Sequence, residues 1–169
     1  MKFSVGDKVV HPHYGPGAIA SIERKELMDG TKRYYVIDMP DRGLTVQIPV
    51  GKADDVGMRM AMPKTDLARV LVILQGRPHP LPQNYKERQE RIGTQLRTGR
   101  VLHLARAVRD LTWHRKLAHL TRTDTENLRL GRDLLTAEMA LVSGDSILNA
   151  GKLIEATMTA ALAHTPAQA

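Results

Sequence analysis

The sequence predicts an α+β protein: a small antiparallel sheet curled into a Tudor- or SH3-like barrel, followed by an all-α helical domain. Three observations carry this reading. Short apolar runs broken by Gly- and Pro-containing turns fill residues 1–50. Apolar residues at helical spacing fill the second half. Between them lies GRPHPLPQNYKERQERIGTQLRTGR, residues 76–100, whose prolines Pro78, Pro80 and Pro82 hold the chain extended. That stretch reads as the hinge between a domain of residues 1–75 and a domain of residues 76–169.

The first strand, VGDKVVHP, runs into a turn at HYGPG, where Gly15 and Gly17 flank Pro16. AIASIERKEL, a turn at MDGTK, RYYVIDM, a turn at PDRG and LTVQIPV complete the strand set. In the last of these Leu44, Val46 and Ile48 alternate with Thr45 and Gln47, giving one buried and one exposed face. Four or five strongly turned strands in so short a segment suit a curled sheet or barrel. Met58, Met60 and Met62 are placed as gap-fillers beneath it. Residues 65–75 form a short apolar helix with Leu67, Val70, Leu71 and Leu74 on one face, stopped by Gly76, and close the first domain.

Four helices follow. The first, residues 84–98, is polar, anchored by Ile92 and Leu96 and ended by Gly99. The second, residues 100–117, carries Leu104, Val108 and Leu111 on one stripe, with Trp113 roughly opposite and so partly exposed or held in a contact between domains. The third opens at Thr123 with Glu126 at capping-box spacing, buries Leu130, Leu134, Leu135, Ala137 and Leu141, and stops at Gly144. Asp145 or Ser146 caps the fourth, which buries Ile147, Leu148, Ile154, Met158 and Leu162 before a frayed tail after residue 163.

Composition narrows the function. Hydrophobic residues make up 42% of the chain and aromatics 4%, so the core is aliphatic and Met-filled. The absence of cysteine excludes disulfides and thiolate metal sites and fits a reducing, cytoplasmic setting. The N-terminus has no apolar signal core, and no run approaches the ~18 apolar residues of a membrane span. Net charge is +7. Most of that excess sits in residues 83–116, where Lys86, Arg88, Arg91, Arg97, Arg100, Arg106, Arg109, Arg115 and Lys116 face only Glu87, Glu90 and Asp110. Such a concentration fits a phosphate-facing surface, though a solvated Arg-rich helix gives the same count.

No pattern assembles a nucleophile with a base and an oxyanion site, and no phosphate-loop, nucleophile-elbow or zinc-protease motif occurs. The paired acids Asp54 and Asp55 fall in a loop and are read as capping a helical turn. His11 and His13 lack the further ligands a metal site needs, so neither metal nor cofactor is expected. His103, His114 and His119 are read as surface or phosphate contacts. Tyr85 starts the basic segment. Its position fits a hydrophobic staple against the proline run better than a wedge at a minor groove.

Motifs in order along the chain resemble the CarD/CdnL family of bacterial transcription regulators. These are F-x-V-G-D-x-V-V-x-P-x-x-G from residue 3, E-x-x-x-x-x-x-G-x-x-x-Y-x-V from residue 23, L-T-V-x-I-P from residue 44 and V-G-x-R from residue 56. N-x-x-x-R from residue 84, L-x-x-G from residue 96 and V-R-D-L from residue 108 continue the likeness. The resemblance implies a non-enzymatic regulator whose Tudor-like domain binds the RNA polymerase β subunit through strand positions matching Arg24, Lys25, Thr45 and Gln47. It implies that the helical domain contacts promoter DNA in the minor groove with little sequence specificity, at the upstream fork of the melted region, and stabilises the open complex. The contacts would be Tyr85, Lys86, Arg88, Arg91, Arg97 and Arg100. Relatives commonly carry Trp where this chain has Tyr85, and often Arg where it has Lys25 and Gln47, which keep and lose the charge respectively. The expected protein is a cytoplasmic monomer, nucleoid-associated through polymerase. A stand-alone nucleoid-type DNA-binding protein and a protein-interaction adaptor are the rival readings.

Overall fold

In the computed structural model, which describes residues 2–28 and 30–164, the chain divides into two compact units, Met1–Met62 and Pro63–Ala169. The first unit holds β1 (Lys8–His11), β2 (Gly15–Leu27), β3 (Gly30–Met39), β4 (Leu44–Pro49) and the two-residue β5 (Arg59–Met60), with a 3-10 turn at Val50–Lys52. The strands form one antiparallel sheet in the order β4-β3-β2-β1-β5. The ladder is open, ending at β4 on one side and β5 on the other, so the closed barrel expected from the sequence is not formed by hydrogen bonding. The strands approach closely at Gly17, where a Cβ would lie 2.6 Å from the Asp38 carbonyl oxygen. One sheet face carries the core: Phe3, Val9, Ile19, Tyr35, Ile37, Met39, Ile48, Ala53 and Met58. Phe3 meets Tyr35 edge to face at 5.7 Å and donates its backbone N–H to the Tyr35 hydroxyl at 3.2 Å. Met58 and Met62 are buried as expected, but Met60 is exposed on β5. Asp54 and Asp55 are exposed and paired with Lys2 and Lys52 rather than capping a helix.

The second unit holds α1 (Asp66–Gln75), α2 (Tyr85–Arg97), α3 (Val101–Leu117), α4 (Arg122–Ser143) and α5 (Ile147–His164). The expectation that α1 closes the sheet domain is corrected: its buried residues Val70 and Leu74 belong to the helical unit, where α1 packs on α3 and α5. The proline run, read as a hinge, is likewise internal to that unit. Leu81 is buried, and the His79 backbone N–H donates to the Asp110 carboxylate at 3.0 Å.

Helix α3 is central, touching α1, α2 and α4. Its Leu104, Val108 and Leu111 stripe is buried as predicted, yet Trp113 is also buried, at 8% exposure, because α3 is enclosed on several sides. Gly131 lets α4 approach closely, since a Cβ there would lie 3.1 Å from Val108 and 3.2 Å from Leu96. The α4 cap falls two residues earlier than predicted. Thr121 and Asp124 form a reciprocal capping box, and Leu128 and Leu135 point inward while Leu130 is exposed. The left-handed Gly144 ends α4 as expected. Ser146 accepts from the Asn149 N–H at the start of α5, where Ile154 and Met158 are buried but Ile147 and Leu148 are exposed. The tail beyond His164 lies outside the described residues, as does Asp29 in the β2–β3 turn. Among the described residues no helix is long and apolar enough to cross a membrane.

Candidate nucleic-acid and protein interfaces

In the sheet unit, register decides which of Arg24, Lys25, Thr45 and Gln47 come together. Residues directly opposite on antiparallel strands share a face. Lys25 pairs with Lys32, Val36 with Gln47 and Asp38 with Thr45, which puts Lys25, Thr45 and Gln47 on the solvent face. The Lys25 ammonium donates to Gln47 Oε1 across β3 and lies 5.7 Å from the Tyr34 ring centroid, while Thr45 donates to Asp38 at 3.0 Å. Arg24 is not with them. It pairs with Arg33 on the opposite face, beyond the core.

The β4 ladder stops at Tyr34, so the outer end of β2 and β3 continues as a two-stranded ribbon. Its successive rungs Arg24–Arg33 and Lys25–Lys32 set like charges directly opposite, an arrangement that disfavours the isolated ribbon.

At the start of the sheet, His11 closes the β1–β2 turn. Its Nδ1 accepts the backbone N–H groups of His13 at 3.1 Å and Tyr14 at 3.2 Å. Burial, with the neighbouring His13 adding to it, lowers the His11 pKa. The imidazole is therefore a neutral turn acceptor. Among the described residues no cluster of three metal-ligating side chains occurs.

In the helical unit the basic segment does not present all its charges outward. Asn84, extended at the N-cap of α2, accepts from the N–H groups of Lys86 at 2.9 Å and Glu87 at 3.4 Å. Tyr85, the first helical residue, is 51% exposed, so the staple that its position suggested is not formed; Leu81 is the buried residue there. Lys86 and Arg97 lie about three turns apart on one flank of α2. Arg91 lies on the other and reaches the Pro80 carbonyl at 3.4 Å. Arg100 is exposed at the start of α3.

Arg88 is 3% exposed and cannot serve as a free surface cation. Its Nε and Nη2 donate to one oxygen of Asp124 at 3.1 and 2.7 Å, and its Nη1 donates to the carbonyls of Pro82 at 2.8 Å and Gln83 at 3.1 Å. Burial opposes ionisation of Asp124, yet hydrogen bonds from Arg88 and Thr121 prevail and hold its carboxyl below the usual range. The adjacent His114 is buried, not superficial. Burial and the charge of Arg88 lower its pKa, against an opposing pull from Asp124.

Arg109 is also internal, donating to Asp110 at 2.8 Å, to the Ile73 carbonyl at 3.3 Å and bonding His79 Nδ1 at 2.9 Å. Of the other two histidines read as surface or phosphate contacts, His103 bonds Thr98 and His119 is exposed in the connection after α3. Neither buried arginine is distinguishable by residue type from its exposed neighbours. The only local signal is that Arg88 falls at the fourth helical position, where a hydrophobic staple would place its apolar residue.

The chain thus combines an open sheet with a polar, cationic outer face and a helical unit with an exposed aromatic at a capped helix start. Residues 3–62 match the family model described as CarD-like/TRCF RID domain, and residues 69–155 match the one described as CarD, C-terminal domain. A Bacillus subtilis (strain 168) protein named "Putative transcription factor YdeB" is 31% identical over 146 residues, spanning 84% of this chain and 93% of that protein. The chain belongs to the CarD family of transcription regulators, which act with RNA polymerase.

Proposed function

We propose that the protein regulates transcription initiation by binding, without catalysis. In this reading the sheet unit grips the RNA polymerase β subunit through the face of Lys25, Thr45 and Gln47, and the helical unit touches promoter DNA at the upstream fork. The observation that carries it is Tyr85: an aromatic half exposed to solvent on the first turn of a capped helix, with Lys86 beside it. An aromatic in that setting can press against a base step at the minor groove, and lysine or arginine nearby neutralises phosphates without reading sequence. The like-charge rung Lys25–Lys32, on the same face as Thr45 and Gln47, supports an acidic partner surface for that side of the sheet.

Tethering makes weak DNA contacts sufficient. A module held on polymerase sees nearby DNA at a local concentration on the order of millimolar. Tyr85 then favours the melted promoter only by touching it better than the closed duplex. Arg88 takes no part in DNA contact in this scheme; Tyr85, Lys86, Arg91, Arg97 and Arg100 remain. The reading places a monomer in the cytoplasm, on the nucleoid through polymerase.

The test uses full-length variants with polymerase holoenzyme. Tyr85→Ala is expected to shorten open-complex lifetime while polymerase retention is unchanged, and Lys25→Glu with Gln47→Glu to lose retention. An unaltered lifetime with Ala at position 85 removes Tyr85 from the mechanism. Tight, salt-sensitive duplex binding without polymerase would favour a stand-alone DNA-binding role instead.

A further inference from the structure

We infer that Arg88 and Asp124 act as positioning residues for Tyr85, fixing the direction in which the aromatic leaves the helical unit; this rests on the DNA-contacting role proposed above. The three carbonyls preceding Tyr85 are all held by one residue. Arg88 donates from Nη1 to Pro82 and Gln83 and from its backbone N–H to Asn84 at 3.1 Å. Only a planar fork with several donors can do this while Nε and Nη2 still face a carboxylate.

That carboxylate comes from 36 positions further along the chain. Asp124 is fully buried on the first turn of α4, where its Oδ2 also accepts the Thr121 N–H at 3.1 Å and hydroxyl at 2.8 Å. Its Oδ1 has no hydrogen-bond partner among the described residues, so the charge is spent on one oxygen and on one direction. Gln89 adds a second strap, donating to Thr121 Oγ1 at 3.0 Å.

A helix start is ordinarily its most mobile part, because its first N–H groups lack intrahelical partners. Here Asn84 caps the amides of Lys86 and Glu87, Arg88 holds the carbonyls before them, and Asp124 holds Arg88. The chain before the helix is also stiff, with Pro80 and Pro82. Tyr85 is thus an exposed side chain on a pre-organised backbone. Less freedom is lost when such a group docks, so more of its contact energy reaches the bound state. A buried ion pair does little for net stability against an apolar replacement, but it specifies one geometry.

The test compares Arg88→Lys, which keeps the charge beside Asp124 but loses the fork to Pro82 and Gln83, in two full-length backgrounds. With Tyr85 present, it is expected to remove most of the open-complex lifetime that the native chain confers. With Tyr85→Ala, it is expected to change nothing further. Amide exchange of Lys86 and Glu87 should accelerate in Arg88→Lys while α3 stays protected.

An equal further loss in the Tyr85→Ala background, or unaltered exchange at those two amides, overturns the inference. If Tyr85→Ala itself leaves lifetime unaltered, the DNA reading fails, and the exchange data alone judge whether Arg88 fixes the helix start. Should Arg88→Lys unfold the unit, the paired Arg88→Met and Asp124→Asn chain keeps the cap and removes both charges. The same two readouts then apply to it.

Discussion

The two units treat positive charge in opposite ways. The sheet unit leaves Arg24, Arg33 and Lys32 exposed and stacks like charges in neighbouring rungs, beside a core cluster of apolar residues and Tyr35. The helical unit draws Arg88 and Arg109 inside and answers each with a buried aspartate, Asp124 and Asp110. Arg24 and Arg33 therefore stand at the surface of the sheet unit rather than inside it. The buried arginines of the helical unit do the reverse. A basic segment read only as a count of arginines merges these two uses.

The largest expected effect breaks the contrast directly. Asp124→Ala leaves Arg88 buried without its carboxylate and should destabilise the helical unit by about 3–5 kcal/mol. Lys25→Ala should change the stability of the sheet unit by no more than about 0.5 kcal/mol. Denaturant titration followed by Trp113 fluorescence reads the first, because that ring is buried in the helical unit, and amide exchange in β2 and β3 reads the second.

A smaller effect concerns protons. The pKa values of His11 and His114 are lowered in the folded chain, so each folded site refuses a proton that the unfolded chain accepts below about pH 6.5. Stability from these groups is full above that pH and declines as the pH falls. Asp124 extends the same trend to lower pH, since its stabilisation is lost only as the carboxyl protonates through its depressed value. His11→Asn offers an amide oxygen to the same two backbone N–H groups and cannot titrate. The sheet unit of this variant should keep its neutral-pH stability and lose less on acidification, measured by exchange at Val9 and Ile19. An acid response equal to that of the native chain would separate His11 from the effect.

The smallest expected change sharpens the comparison from the other side. Arg24→Gln removes one like-charge rung and should stabilise the β2–β3 ribbon by roughly 0.2–1 kcal/mol. Polymerase retention should be unchanged, because Arg24 lies on the face opposite Lys25, Thr45 and Gln47. A ribbon that becomes less stable would show that Arg24 has an internal role.

Much of the fold was legible because its signals are local. Gly99 and Gly144 as stops, and the spacings Ile92–Leu96 and Leu104–Val108–Leu111, act within a turn or two of themselves. The exposed aromatic was legible as a residue but not as a state: Tyr85 fitted a staple, and the fold gave the buried place to Leu81. The face of Lys25 depended on an irregularity in β2 between Ile19 and Ser21. Strict alternation from the buried Ile19 would put Lys25 inward, and the extra residue reverses every later side chain. No composition signal marks that bulge.

By itself, then, the sequence determined the order of strands before helices, most helix ends, the apolar stripes and the family motifs, since each is set by neighbours along the chain. Tertiary structure alone decided that the sheet stays open, that α1 and the proline run belong to the helical unit, and which cations reach solvent. The physical reason lies in burial. An arginine's fate depends on whether a carboxylate far away in sequence arrives beside it when water is excluded, and Arg88 meets Asp124 across 36 positions.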